Sequence, residues 1–305
     1  MISNIAKVPL GAGEELLIQR NRFGTSGPRI CIVTGTHGDE LEGQYVAYKL
    51  ASMLKHNPDY LTGIVDIYPA LNPLGICTMS RGMPLVDLDM NRIFPGSPDG
   101  TMSEYITSSI VEDIRGADLC IDIHASNIFL REIPQVRINV NMADRLVPMA
   151  KMLNMDFIWI HAAATVLEST LAHSLNSVGT PTLVVEMGIG MRTTKEYGDR
   201  LVIGILSLMS KLGIWNKPVR PVSPPIVSSD GAVSFINAPC AGMFFPTSSH
   251  TTYVEEGQEI GIIGDPLTGN VKASLKSPVT GLLFTLREYP VVYEGSLIAR
   301  ILGGL

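Results

Sequence analysis

Packing alone explains poorly why His37 and Glu40 stand in GTHGDE, why His124 closes the apolar run in DLCIDIHAS, and why Glu186 closes TLVVE. His37 and Glu40 have H-x-x-E spacing, and imidazole nitrogen and carboxylate oxygen are both good zinc ligands. Three residues apart at a strand-to-helix corner, the two side chains can turn toward one point, and Gly35 and Gly38 permit a tight backbone there. The spacing equally describes a turn histidine followed by an acidic residue that favours a helix N-terminus. His124 supplies a second imidazole from another strand end. Asp122 lies on the same strand face as His124; it either steadies that imidazole from behind or serves as a simple strand-end acceptor. Glu186, a carboxylate at the end of an apolar strand, needs a partner or a task. Beside a bound metal it would take a proton from water and pass it to a leaving nitrogen; the alternative is a buried salt bridge. Arg81, Asn91 and Arg92 lie in SRGMPLVDLDMNRIFPG. Arginine there can clamp a substrate carboxylate or stabilise an oxyanion, or merely tie the loop internally to Asp87 or Asp89.

The elements that must position these groups are legible as alternating patterns. Residues 14–20 suit a strand, and RICIVT at 29–34 reads as a central strand apolar on both faces. A helix is expected over about 40–54, an apolar run at 64–68, and a long aperiodic loop at 75–100, of a length that usually reflects function. Helices are expected at 103–114, 142–153, 167–178 and 195–212, and strands at 118–123, 156–159 and 182–186. Strands alternating with helices imply an α/β fold with a largely parallel or mixed central sheet covered on both faces. In such sheets ligands bind beyond the strand ends, which is where His37, His124 and Glu186 fall.

Four prolines in NKPVRPVSPP mark a stiff linker at 216–225. The division expected is a catalytic domain at 1–225 followed by a small all-β domain at 226–305. That tail carries a weak internal repeat: PCAGMFF at 239–245 aligns with PVTGLLF at 278–284, and VEEGQEI at 254–260 with VYEGSLI at 292–298. It resembles the biotinyl/lipoyl-type barrel-sandwich hybrid, but Lys272 and Lys276 lack the Met-flanked hairpin at which such carriers attach a cofactor.

The net charge of −6 argues against bulk attraction to nucleic acid or to an anionic membrane surface. Cys31, Cys77, Cys120 and Cys240 form no C-x-x-C pair, which disfavours thiolate metal sites and suits a reducing compartment. With no signal-like start and no run of ~18 apolar residues, a cytoplasmic location is expected; self-association into a homo-oligomer is left open. His161 and His173 are candidates to line the cleft, whereas His56 and His250 read as capping or loop residues.

Taken together, GTHGDELEG, NPLG, SRG with DLDMNRIFPG, DLCIDIHAS and LVVEMG resemble the succinylglutamate desuccinylase/aspartoacylase family of zinc carboxypeptidase-like fold, over about residues 30–190. The resemblance implies a mixed central sheet flanked by helices, one Zn2+ per chain on His37, Glu40 and His124, Glu186 as catalytic carboxylate, Arg81 beside the scissile carbonyl, and Asn91 with Arg92 on the substrate carboxylate. It implies a zinc-dependent amide hydrolase that removes an acyl group from a small N-acyl amino acid or related N-acyl amine. A metallo-carboxypeptidase acting on short peptides is the alternative. Asp89 belongs to the same D-x-N-R segment and would order the loop. Arg192, which would recognise a second anion or cap its loop, and a substrate-facing tyrosine, Tyr289 or Tyr293, are not assigned by the motifs.

Overall fold

The computed structural model describes residues 1–162 and 168–304. The chain begins with β1 (Ile2–Pro9), β2 (Glu15–Phe23) and β3 (Arg29–Thr34), then α1 (Glu42–His56), β4 (Ile64–Tyr68), α2 (Pro73–Thr78) and α3 (Met102–Ile114). There follow β5 (Leu119–Ala125), β6 (Leu130–Asn139), α4 (Ala143–Ala150), β7 (Phe157–His161), α5 (Leu171–Ser177), β8 (Thr182–Gly188) and α6 (Lys195–Lys211). The remainder is β9 (Ile226–Ser229), β10 (Val233–Asn237), β11 (Gly242–Pro246), β12 (Tyr253–Val254), β13 (Glu259–Gly264), β14 (Val271–Lys276), β15 (Gly281–Arg287), β16 (Val291–Val292) and β17 (Leu297–Gly303). Among the described residues no helix is long and apolar enough to cross a membrane.

The central sheet runs β1-β2-β4-β3-β5-β8-β6-β15-β17-β10, with β7 on β6 and β9 on β7. Its heart, β4-β3-β5-β8, is parallel, and β6 runs antiparallel to β8. Strand periodicity divides β3 between two cores. Ile30 and Ile32 pack with Val46, Leu50 and Ile205 from α1 and α6, while Cys31 and Val33 pack with Ile106, Ile110 and Leu175 from α3 and α5. Burial on both faces is what a parallel sheet between helical layers requires.

After β10 the chain alternates between two sheets. β15 and β17 extend the central sheet, whereas β14-β13-β11-β16 form a smaller antiparallel one. The internal repeat is visible in the pairing. β11 pairs with β13 and β15 with β17 inside each repeat, while β11 also pairs with β16 and β15 with β12 across repeats. This exchange closes a common core of Phe244, Ile260, Ile263, Leu283, Ile298 and Ile301.

Three local expectations change. The loop at 75–100 opens with most of α2 and contains a 3-10 turn at Met90–Arg92. The helix expected at 167–178 is α5 over Leu171–Ser177; Leu167 lies outside the described residues. β1 and β6 carry no matching expectation. In β6, the charges and the proline of LREIPQVRIN argue against a central strand, yet Pro134 is accommodated where the register against β8 slips between Glu132 and Gln135.

Candidate active site

The corner after β3 is shaped by backbone contact. A Cβ on Gly38 would lie 1.9 Å from the Gly75 carbonyl carbon, and Gly35 has φ +69°. Asn72 caps α2 by accepting from Gly75 N and donates to Gly82 O. GTHG and NPLG therefore fold against one another, and His37 and Glu40 are held just beyond the carboxyl end of β3.

There the two histidines and the glutamate converge. His37, Glu40 and His124 are 3 %, 5 % and 4 % exposed, and one ligand atom of each lies within 4.8 Å of the others. Both Nδ1 atoms face the same carboxylate: His124 Nδ1 is 2.9 Å from Glu40 Oε2, and His37 Nδ1 is 2.7 Å from Oε1 without hydrogen-bond alignment. Behind them, His37 Nε2 bonds Asp89 at 3.0 Å and His124 Nε2 lies 3.1 Å from Asp122. Burial opposes charge on both rings. Asp89 and Glu40 outweigh it for His37, and Asp122 and Glu40 for His124, so both proton affinities rise. Burial likewise raises Glu40, but the two histidines hold its carboxyl well below the usual range. Metal and proton therefore compete for these rings, which must be neutral to act as ligands. Two imidazoles and a carboxylate, Nδ1 inward and Nε2 backed by carboxylates, fit mononuclear zinc with a coordination position to spare.

Glu186 stands beside this cluster because β8 pairs in parallel with β5 in a register that sets Glu186 opposite His124. Its side chain is 17 % exposed, with Arg137 Nη1 3.5 Å from Oε1. Burial pushes its carboxyl up to about 7 against the opposing field of Arg137. A carboxylate poised near neutrality is suited to both accept and return a proton.

A cavity of about 620 Å³ opens over these groups, lined also by Arg81, Asn91, Arg92, His161 and His173. Arg81 donates to Glu40 Oε1 at 2.9 Å and to Asp89 at 3.3 Å, so the internal loop tie expected with Asp89 exists and reaches a metal-ligand candidate as well. Asn91 accepts from Leu171 N at 2.9 Å, fastening the loop to α5. Arg92 is exposed at the rim, its Nη1 donating to Asn91 O. Arg192 lies 3.8 Å from Glu288 and does not line the cavity. Neither tyrosine lines it: Tyr289 packs edge-on against Phe129, and Tyr293 is 70 % exposed. His56 bonds Ser52 O at its helix end, and His250 donates to Phe284 O.

Glu132, Arg137 and Arg300 also line the cavity and were not singled out from the sequence. A lone arginine in the apolar run LIARIL was the available signal.

The family model for the succinylglutamate desuccinylase/aspartoacylase catalytic domain matches residues 26–212. A curated relative, the N-alpha-acetyl-L-2,4-diaminobutyric acid deacetylase of Halomonas elongata, is 33 % identical over 109 residues, which are 35 % of this chain and 31 % of that protein. The match thus spans about a third of that relative's length. Among solved structures, the product-bound ectoine utilization protein EutE (DoeB) from Ruegeria pomeroyi superposes with a TM-score of 0.85 at 20 % identity, over 98 % of this chain and 94 % of that one. A succinylglutamate desuccinylase/aspartoacylase from Rhodobacter sphaeroides gives 0.83 at 23 %, over 100 % and 95 %. At such identities these structures speak to the fold.

Proposed function

From the premise that the chain belongs to the succinylglutamate desuccinylase/aspartoacylase family, we propose that it is a zinc-dependent deacylase that hydrolyses the amide of a small N-acyl amino acid or related N-acyl amine. The observation that carries this reading is the convergence of His37, Glu40 and His124 within 4.8 Å, beside Glu186, which β8 sets opposite His124. One Zn2+ per chain on these three residues would supply Lewis acidity, polarising the amide carbonyl and easing deprotonation of water.

The remaining steps belong to the side chains. Glu186 accepts the proton of the attacking water and returns it to the departing nitrogen, so no free amide anion forms. Arg81, already beside Glu40, faces the charge that develops on the carbonyl oxygen. Arg92, exposed at the rim, pairs with the substrate carboxylate, and Asn91 holds the loop beneath it. A cavity of about 620 Å³ suits a small N-acyl compound. Residues 1–225 carry the hydrolytic groups in this reading, and 226–305 form a β unit that extends the same sheet.

The test is release of free amine from N-acetyl and N-succinyl amino acids by zinc-loaded protein, by His37→Ala and by Glu186→Ala. Turnover that is lost in both variants supports the reading, and undiminished turnover in both overturns it.

A further inference from the structure

Beside Glu186 the cavity wall carries a run of alternating buried charge that the proposed chemistry does not use. Arg300 of β17 donates to Glu132 Oε1, and Arg137 of β6 donates to Glu132 Oε2 at 2.7 Å. Gln135 also donates to Glu132, and Arg137 then reaches toward Glu186 at 3.5 Å. Glu132 is 1 % exposed.

Two features of the sheet assemble this run. Against β8, Glu132 pairs with Gly188 but Gln135 pairs with Glu186, so β6 holds one extra residue there. Without that bulge, Glu132 and Gln135 would point to opposite faces; with it, Gln135 reaches Glu132, and Glu132 and Arg137 line the cavity. Thr285 of β15 sits opposite both Glu132 and Arg300, in the strand between them. Its side chain is short and fully buried, and the longer Arg300 spans it to reach Glu132. Trp159 braces the arrangement, with the guanidinium carbons of Arg137 and Arg300 each 5.5 Å from its ring. Among the described residues, Arg300 is the one cavity-lining group contributed from beyond residue 225.

We propose that Arg300, Glu132 and Arg137 form a positioning relay through which strand β17 of the C-terminal β unit orients the Glu186 carboxylate. This rests on Glu186 as the proton carrier of the deacylase. Arg300 and Gln135 fix Glu132, Glu132 fixes the guanidinium plane of Arg137, and Arg137 restricts the rotation of Glu186 by a charge-assisted contact on one oxygen. The other oxygen stays directed at the substrate. The run alternates in sign from end to end, so removing one member leaves its neighbours with an uncompensated buried charge.

The experiment measures kcat and KM for full-length zinc-loaded Arg300→Gln and Arg300→Lys on N-acetylalanine, N-succinylalanine and N-acetylglutamate. Arg300 makes no hydrogen bond or ion pair with Glu186 among the described residues, so its positioning influence travels through Glu132 and Arg137; its charge also reaches Glu186 through space, an effect that shifts the pH profile of kcat rather than its plateau. The relay requires kcat to fall about 10–100-fold in Arg300→Gln, the cost typical of a mispositioned catalytic group. KM should change little, and the fall should be alike on all three substrates. Arg300→Lys, which keeps a charge for Glu132, should recover part of the loss, and it carries the test if the glutamine variant does not fold. Unchanged kcat in both variants overturns the relay, as does a loss expressed in KM and confined to the doubly acidic substrates, which would make Arg300 a substrate ligand. Wild-type protein inert on N-acyl amino acids in general would instead defeat the deacylase reading, and the relay with it.

Discussion

Two clusters of buried charge stand at opposite ends of β3. At its amino end, Asp66 is fully buried under Arg22 at 2.6 Å and Arg29 at 2.7 Å. Arg20 and Tyr68 there turn to Asp113 at 2.8 and 2.6 Å. The carboxylate oxygens are taken up by guanidinium and hydroxyl donors, and none of these residues lines the cavity. At the carboxyl end, His37, Glu40 and His124 are just as buried, but His37 Nδ1 lacks an aligned hydrogen-bond partner among the described residues, and the cluster opens on the cavity. The two ends separate a structural use of charge from a chemical one. Burial and perturbed proton affinity are common to both; a cluster of metal-ligand atoms facing a cavity belongs to one.

That contrast can be broken most forcefully by Glu186→Gln. We expect a loss of about 10²–10⁴-fold in kcat with an unchanged far-ultraviolet circular dichroism spectrum; an active variant would erase the chemical end. Asp66→Asn should do the reverse. It takes the carboxylate from Arg22 and Arg29, while Arg20 keeps Asp113, and should cost about 3–5 kcal/mol in denaturant unfolding, with kcat per folded molecule retained. A drop in kcat without a drop in stability would mean that the closed cluster is not merely structural.

Removing the groups behind the ligands should sharpen the distinction at lower amplitude. Asp89→Asn and Asp122→Asn should weaken zinc affinity about 10–100-fold in competition with a chelator, and chelation of the wild type should abolish turnover until zinc is restored. Equal zinc affinity in the wild type and both variants would remove these carboxylates from the site.

The pH responses should differ in sign. Burial raises the Asp66 carboxyl, but Arg22 and Arg29 outweigh it and hold it below its ordinary 3.8. Its stabilising contribution is therefore present above that value and is lost as pH falls through the depressed one. The Glu186 carboxyl is raised from 4.5 to about 7. The stability it gains by staying neutral is present below 4.5 and lost as pH rises through about 7, while activity, which needs the ionised base, rises over that same range. Glu186→Gln should therefore be more stable than wild type at pH 8 and similar to it at pH 4, by thermal melts of metal-free protein. A wild type whose kcat/KM is flat from pH 5 to 8 would contradict the raised carboxyl.

Much of the site was legible because its residues interrupt patterns. A histidine after DLCIDI and a glutamate after TLVV are polar stops on apolar strands, and H-x-x-E between glycines is a ligand pair on a tight corner. Local physics alone assigns those positions, since strand period and turn chemistry are properties of a few adjacent residues. The sheet order that sets Glu186 beside His124, the bulge that turns Glu132 toward the cavity, and the strand from the far end of the chain that brings Arg300 to it came only with the tertiary structure. Register and long-range pairing depend on which strands meet and on how a proline is absorbed between them. Those are outcomes of packing the whole chain, and no window of neighbouring residues encodes them.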